Sequence, residues 1–293
     1  MNLTDGKIAA TQRGIVLMLG AVFCFTAMDA VAKGLLISYP APIVIWARFM
    51  VMLVLVLAVL RHRSVGLLRT RYPWLHFWRG LFQFATVYLF FLSLRHIGLA
   101  EAQALADVSP VLITLGAAVF LGEKLGPHRI AAILTAMIGA MIVIRPGFGV
   151  FTMAALLPLG AAFTYSAAAL ITRKVGAAES PWTAMLYASL YGVAFSSLPL
   201  LFVLQPVPFA DLWRFLLLGA LGTCAQLLII RSFSVAEASV VAPFTYAGLV
   251  TATFWGILLF GEYPDVWTVI GGLVIVLAGL YVWHRETRAI RRG

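Results

Sequence analysis

Asp29 and Lys33 stand four residues apart inside an apolar run, so on a helix an acid and a base share one face and can meet. Two readings follow: they line the mouth of a path and receive a zwitterionic solute, or they form an ion pair that satisfies itself at a helix end. A second constellation, Glu101, Gln103 and Asp107, lies just before Pro110, with Gln103 and Asp107 again at i, i+4. Its counterpart is Glu237 and Ser239, with Thr245 and Tyr246 beyond Pro243. Carboxylates and amides beside a bend can hold an ammonium group, relay a proton, or merely cap and bridge helix ends.

Several other chemistries lack their residues. There is no HExxH pair, no GxSxG elbow and no phosphate-cradling loop, which argues against a zinc hydrolase, a serine hydrolase and direct ATP coupling. Asp29 and Asp107 form a conceivable carboxylate dyad of an intramembrane enzyme, but their flanks lack the glycines of that class. Cys24 and Cys224 sit in apolar runs without metal-ligand spacing and read as small apolar residues. No metal and no cofactor is expected.

These residues are embedded in a chain of 293 residues that is 62% hydrophobic and 11% charged. Its mean hydropathy of +1.00 places it in lipid. The net charge of +10 would suggest nucleic acid on a soluble domain, but here Lys and Arg flank apolar runs and concern orientation in a bilayer. Polar groups in lipid are expensive and face the bundle interior. The substrate-cavity candidates are therefore Asp29, Lys33, Gln83, Tyr88, Gln103, Asp107, Tyr165, Gln226 and Tyr246, with Ser166, Thr172 and Thr223 nearby in sequence. Tyr88, Tyr165, Tyr246 and Trp255 would suit an aromatic wall, although a single aromatic commonly packs or faces lipid. Pro110 and Pro243 are candidate hinges, with a static kink as the plain alternative.

At about 20 residues per crossing, the apolar runs predict an all-α protein of ten spans joined by short connections. They are residues 14–36, 42–60, 75–94, 100–121, 129–144, 153–172, 181–204, 213–230, 238–260 and 266–283. The run after Arg13 is longer than a signal-peptide core and lacks a cleavage site, so the first helix is expected to stay. With the N-terminus inside, sixteen Lys and Arg fall on the cytoplasmic side and five (Lys33, Arg48, Arg95, Arg145, Arg214) opposite. The positive-inside rule then puts both termini in the cytoplasm.

The chain repeats itself. Leu19 to Lys33 returns as Leu159 to Arg173, with Thr26 answered by Ser166 and Lys33 by Arg173. Pro42/Pro181, Trp74/Trp213, Gly80/Gly219, Glu101/Glu237, Glu123/Glu262 and Gly139/Gly279 follow in order. Two repeats, 14–145 and 153–284, are expected between a cytoplasmic tail at 1–13 and a basic tail at 285–293. Five spans per repeat is odd, so the second enters upside down, a plan of secondary transporters with a site near the midplane. Glu123 and Glu262 read as structural ties in short connections, and Trp74, Trp78, Trp182, Trp213, Trp267 and Trp283 as interfacial anchors.

The paired Leu121-Gly122-Glu123 and Phe260-Gly261-Glu262, each followed by a Gly-rich last helix, resemble the EamA repeats of the drug/metabolite transporter superfamily. So do Asp29 to Lys33, Tyr39-Pro40 and Trp46-Ala47-Arg48. Within it the chain is similar to bacterial amino acid exporters of the YddG type. The resemblance implies a ten-helix basket around a central cavity lined by the first, third, fourth, sixth, eighth and ninth spans. It also implies a small-molecule partner, with aromatic and other neutral amino acids expected, and riboflavin, S-adenosylmethionine or a drug-like cation as alternatives. A bacterial inner membrane, a monomer, and no nucleic acid complete the expectation.

Overall fold

A computed structural model of the chain describes residues 3–61, 64–68, 70–121, 127–145, 153–175, 179–203, 205–236 and 241–290. Glu123, Glu237 and Ser239 lie outside the described residues. The helices are α1 (Leu3–Ser38), α2 (Ala41–Leu60), α3 (Pro73–Ser93), α4 (Leu99–Ala106), α5 (Ser109–Leu121), α6 (Pro127–Ile144), α7 (Leu156–Val175), α8 (Pro181–Leu200), α9 (Leu212–Val235), α10 (Ala247–Phe260) and α11 (Val266–Ile290). The protein is an all-α polytopic membrane protein. Among the described residues, six helical segments are long and apolar enough to cross a bilayer, and three shorter apolar stretches lie in α6, α10 and α11. The remaining span, α3, carries His76, Arg79 and Gln83 and is not among these. The helices overrun the expected limits at both chain ends, since a helix once formed propagates past the hydrocarbon edge.

The fourth span is broken rather than bent. α4 stops at Ala106, two residues form a turn, and α5 restarts at Ser109. Pro110 has no N–H to give the Ala106 carbonyl four residues back, and it stands in the first turn of α5, where a missing donor costs nothing. The Ser109 carbonyl is taken up by Ser166 Oγ of α7 at 3.0 Å. In the ninth span Pro243 lies in a 3-10 turn, Ala242–Tyr246, ahead of α10.

Packing between helices exchanges in pairs when the two halves are swapped. α1 packs on α9 as α7 packs on α3, α2 on α9 as α8 on α3, and α1 on α10 as α7 on α5. α2 with α8, and α6 with α11, map onto themselves. The repeated residues do repeated work. Thr26 of α1 donates to Thr251 of α10 at 2.9 Å, while its counterpart Ser166 makes the bond to the fourth span just described. Gly80 brings α3 against Tyr191 of α8, and Gly219 brings α9 against Val51 of α2. A Cβ at either would lie 2.5 or 2.3 Å from a neighbour's side chain. Without a hydrophobic drive between helices, such close approach supplies the attraction.

Each face carries a clasp between loops of opposite halves. On the face opposite the termini, Tyr39 donates to Asp211 at 2.5 Å, and Arg214 stands 3.5 Å from the same carboxylate. On the terminal face, Glu179 accepts from Thr70 Oγ1, from the Arg71 N–H at 3.0 Å and from His76 Nε2 at 2.5 Å. Burial alone would raise the Glu179 carboxyl. The donors Thr70, His76 and the Arg71 N–H, with the charge of His76, outweigh it and hold the carboxyl below its ordinary value.

A carboxyl depressed in the folded state stabilises fully above its unfolded value, about 4.3, and loses that contribution as pH falls through the folded value. Glu179→Gln should therefore lower stability near neutral pH by about 1–3 kcal/mol. The gap from wild type should close on acidification below about pH 4. Thermal melts in detergent at several pH values measure this, and a gap independent of pH contradicts it.

Candidate functional site

On the face opposite the termini, a cavity of about 700 Å3 opens among the ends of α1, α3, α4 and α6 and the α10–α11 connection. Lys33, Arg95 and Arg145 line it against Glu101, Glu262 and Asp265. Lys33 does not pair with Asp29. Its chain runs outward, where the ammonium meets Glu262 at 2.5 Å and the Ile97 carbonyl at 2.8 Å, over the Phe260 ring at 5.5 Å. A long cation near a span end reaches for the interface, and two partners wait there.

Glu262 does more than tie a connection. Gly261 ends α10 in the left-handed region, φ 64°, and its N–H and that of Glu262 close onto the Ile257 and Gly256 carbonyls. The turn throws the Glu262 side chain under the helix end, where it also accepts the Leu99 N–H at 3.1 Å. This explains the Phe-Gly-Glu motif: the Gly reverses the chain and the Glu ties the ninth span to the first and fourth. Gly261→Val should cost about 1–2 kcal/mol through the left-handed backbone alone, read as a lower melting temperature. An unchanged melt would disprove the role of the turn. Beside it, Asp265 caps α11 through the Thr268 N–H at 2.8 Å and pairs with Arg145. Burial pulls its carboxyl up, but the two Thr268 donors and Arg145 hold it below its ordinary value.

Deeper in, Asp29 finds a different partner. Arg48 of α2 and Asp29 of α1 attract across the interface, yet among the described residues neither charged group has a hydrogen bond or an ion-pair contact within 4.0 Å. Arg48 lies over the rings of Phe91 at 5.3 Å and Phe49 at 5.7 Å, with Gly222 of α9 beside its Nε. Asp29 is 8% exposed and Arg48 half-buried. Two opposite charges inside the bundle, each with hydrogen-bonding capacity to spare, can receive a cation and an anion of one solute.

At the broken fourth span, Gln103 donates to Asp107 Oδ1 at 2.9 Å, as the i, i+4 spacing requires. Asp107 Oδ2 is buried without a partner among the described residues. The Tyr246 phenol stands within electrostatic reach of Asp107, and its hydroxyl sits over the Gly279 backbone. Val22 of α1 and Gln103 both close on Gly248 of α10, so the first, fourth and ninth spans meet here.

The other candidates fall around this axis. Gln83 of α3 and Gln226 of α9 are half-buried, and among the described residues neither amide has a partner. Tyr88 packs on Phe84 at 5.7 Å, and Tyr165 of α7 is 46% exposed. Phe23 and Trp255 meet at 5.1 Å between α1 and α10. Cys24 and Cys224 touch across α1 and α9. Gln103, Asp107 and Tyr246 thus meet at the broken fourth span, Asp29 stands nearest Arg48 between α1 and α2, and Lys33 belongs to the mouth.

Sequence reasoning missed Arg48 and the reach of Glu262. The signal for Arg48 was an arginine inside the apolar run 42–60; the one for Glu262 was its place beside a helix-ending Gly.

With this geometry in view, comparison with known proteins gives the class. The EamA-like transporter family matches residues 12–145 and again residues 152–283. The chain belongs to that family, and it is a metabolite transporter of the drug/metabolite class, not an enzyme. It is 31% identical over 285 residues to a riboflavin transporter of Vibrio cholerae, covering 96% of each chain. It is 28% identical over 270 residues to the pseudopaline exporter CntI of Pseudomonas aeruginosa, covering 91% of this chain and 94% of that one. It is 25% identical over 281 residues to an S-adenosylmethionine uptake transporter of Rickettsia bellii, covering 95% and 96%. A solved crystal structure at 21% identity aligns over 96% of this chain and 98% of its own with a TM-score of 0.65, a likeness of fold.

Proposed function

We propose that this chain moves small zwitterionic metabolites, amino acids first among them, out of the cell by alternating access. Two inverted repeats, residues 14–145 and 153–284, would rock about a site inside the bundle. The observation that carries the substrate class is the opposed pair Asp29 and Arg48. The carboxylate suits an ammonium and the guanidinium a carboxylate, while the Phe49 and Phe91 rings beside Arg48 accept an apolar side chain. Pro110 and Pro243, each at an irregular point of a symmetry-related span, supply the hinges. The cations on the face opposite the termini are largely engaged: Lys33 by Glu262, Arg95 by the Leu36 carbonyl, Arg145 by Asp265, Arg214 by Asp211. That supports termini on the cytoplasmic side of a bacterial inner membrane, with a monomer as the transporting unit.

A second reading, riboflavin, is favoured by the Vibrio cholerae relative and by the same aromatic rings. Counterflow in proteoliposomes loaded with single unlabelled solutes separates the two. Exchange of labelled neutral amino acids is expected; exchange of riboflavin alone replaces the substrate, and exchange of no metabolite removes the class of solute proposed.

A further inference from the structure

Among the described acidic side chains, Asp107 stands apart. Asp29 feels Arg48, Glu101 feels Arg145 and Lys33, Glu179 has His76, Asp211 has Arg214, Glu262 has Lys33 and Asp265 has Arg145. Among the described residues no cation acts on Asp107: its one donor is the neutral Gln103 amide on Oδ1, and Oδ2 is buried without a partner. The elements packed on α4 are α10, α7, α11, α6 and α1. α10 adds no titratable group of its own beyond the preceding Tyr246, and α6 has none between Ile130 and Ile144. α11 offers Tyr281 and His284 late in the helix, with Glu286 and arginines beyond, and α7 offers Tyr165, with Arg173 and Lys174 at its end. At this depth α1 brings Cys24, beside Cys224, Asp29, which feels Arg48, and Lys33, which pairs with Glu262.

A bare carboxylate inside a span costs about 2.5–3.5 kcal/mol or more. With no counter-charge and one hydrogen bond, the cheaper state is the neutral acid. A metal cation is a poor occupant, since Oδ2 and the Tyr246 phenol are too few oxygens to replace a hydration shell. Asp107 also sits in the two-residue turn between α4 and α5, where rotation about few bonds moves its side chain relative to the Tyr246 side of the bundle.

We propose that Asp107 Oδ2 carries a proton in this conformation and gives it to water when the broken fourth span turns, so that one proton is exchanged against substrate in each cycle. The inference rests on the transport reading above. The proton binds Oδ2 from water on one side of the membrane and leaves to water on the other, and no other group changes charge.

Two measurements test it. Infrared difference spectra of purified wild type and Asp107→Asn at neutral pH should show one protonated-carboxyl band in wild type that the variant lacks; Asp107→Glu should keep a displaced band. In wild-type proteoliposomes, an imposed gradient of one pH unit should raise substrate accumulation several-fold over the equal-pH control. Absence of the band from wild type, robust counterflow indifferent to the pH gradient, or a sodium gradient that replaces it would each overturn the proposal. If Asp107→Asn does not fold, the displaced band in Asp107→Glu decides. Failure of counterflow for every solute would instead strike the substrate reading, because the infrared result reads Asp107 without any flux.

Discussion

Arg48→Ala is expected to lower the initial rate of exchange about a hundredfold or more, the largest effect of any single change considered. The guanidinium supplies a planar fork for a carboxylate at the depth where water is scarce, and losing it removes the charge that attracts the Asp29 carboxylate. Part of that loss falls on stability, because Asp29 is then left buried without a cation. Two further variants separate the parts. Arg48→Lys keeps the charge and loses the fork, and should retain about a tenth of the rate. Asp29→Asn added to Arg48→Ala removes both charges, and should restore the melting temperature without restoring flux. Recovery of flux in that double variant would show that the pair only holds helices together.

The second large effect concerns the mouth. Lys33, Glu262, the Ile97 carbonyl and the Leu99 N–H form one partly buried network joining the first, fourth and ninth spans. Opening this face requires that network to part, so its removal should shift the balance of states by about 1–3 kcal/mol, or about 5–150-fold. Glu262→Gln is expected to expose Ala100, which is 6% exposed at the cavity wall. With Ala100→Cys as reporter, and Cys24 and Cys224 changed to serine, labelling by an impermeant maleimide from that side should speed up about tenfold. The charge swap Lys33→Glu with Glu262→Lys should return labelling toward the starting rate. Equal labelling in all three backgrounds would mean that the network does not govern opening.

The amino-acid sequence by itself determined what depends on local pattern and on repetition. Twenty-residue apolar runs can do little but cross lipid as helices, so the spans were readable. The echo of Leu19 to Lys33 in Leu159 to Arg173 specified which helices must answer one another, and the Thr26 and Ser166 hydroxyls do so across the two halves. Gln103 and Asp107 were paired by spacing alone, because i and i+4 meet on any helix. Spacing failed for Asp29 and Lys33 because the same rule allows that pair without compelling it. A long ammonium takes whichever carboxylate gives it the better surroundings, and Glu262 lies 229 residues away in the chain. Nor could the sequence show that Arg48 stands nearest Asp29, that among the described residues Asp107 is the carboxyl left without a cation, or that Pro110 stands at a break in its span. Those facts depend on which helix face turns inward and on what the opposite repeat brings to it, and only the packed structure decides that.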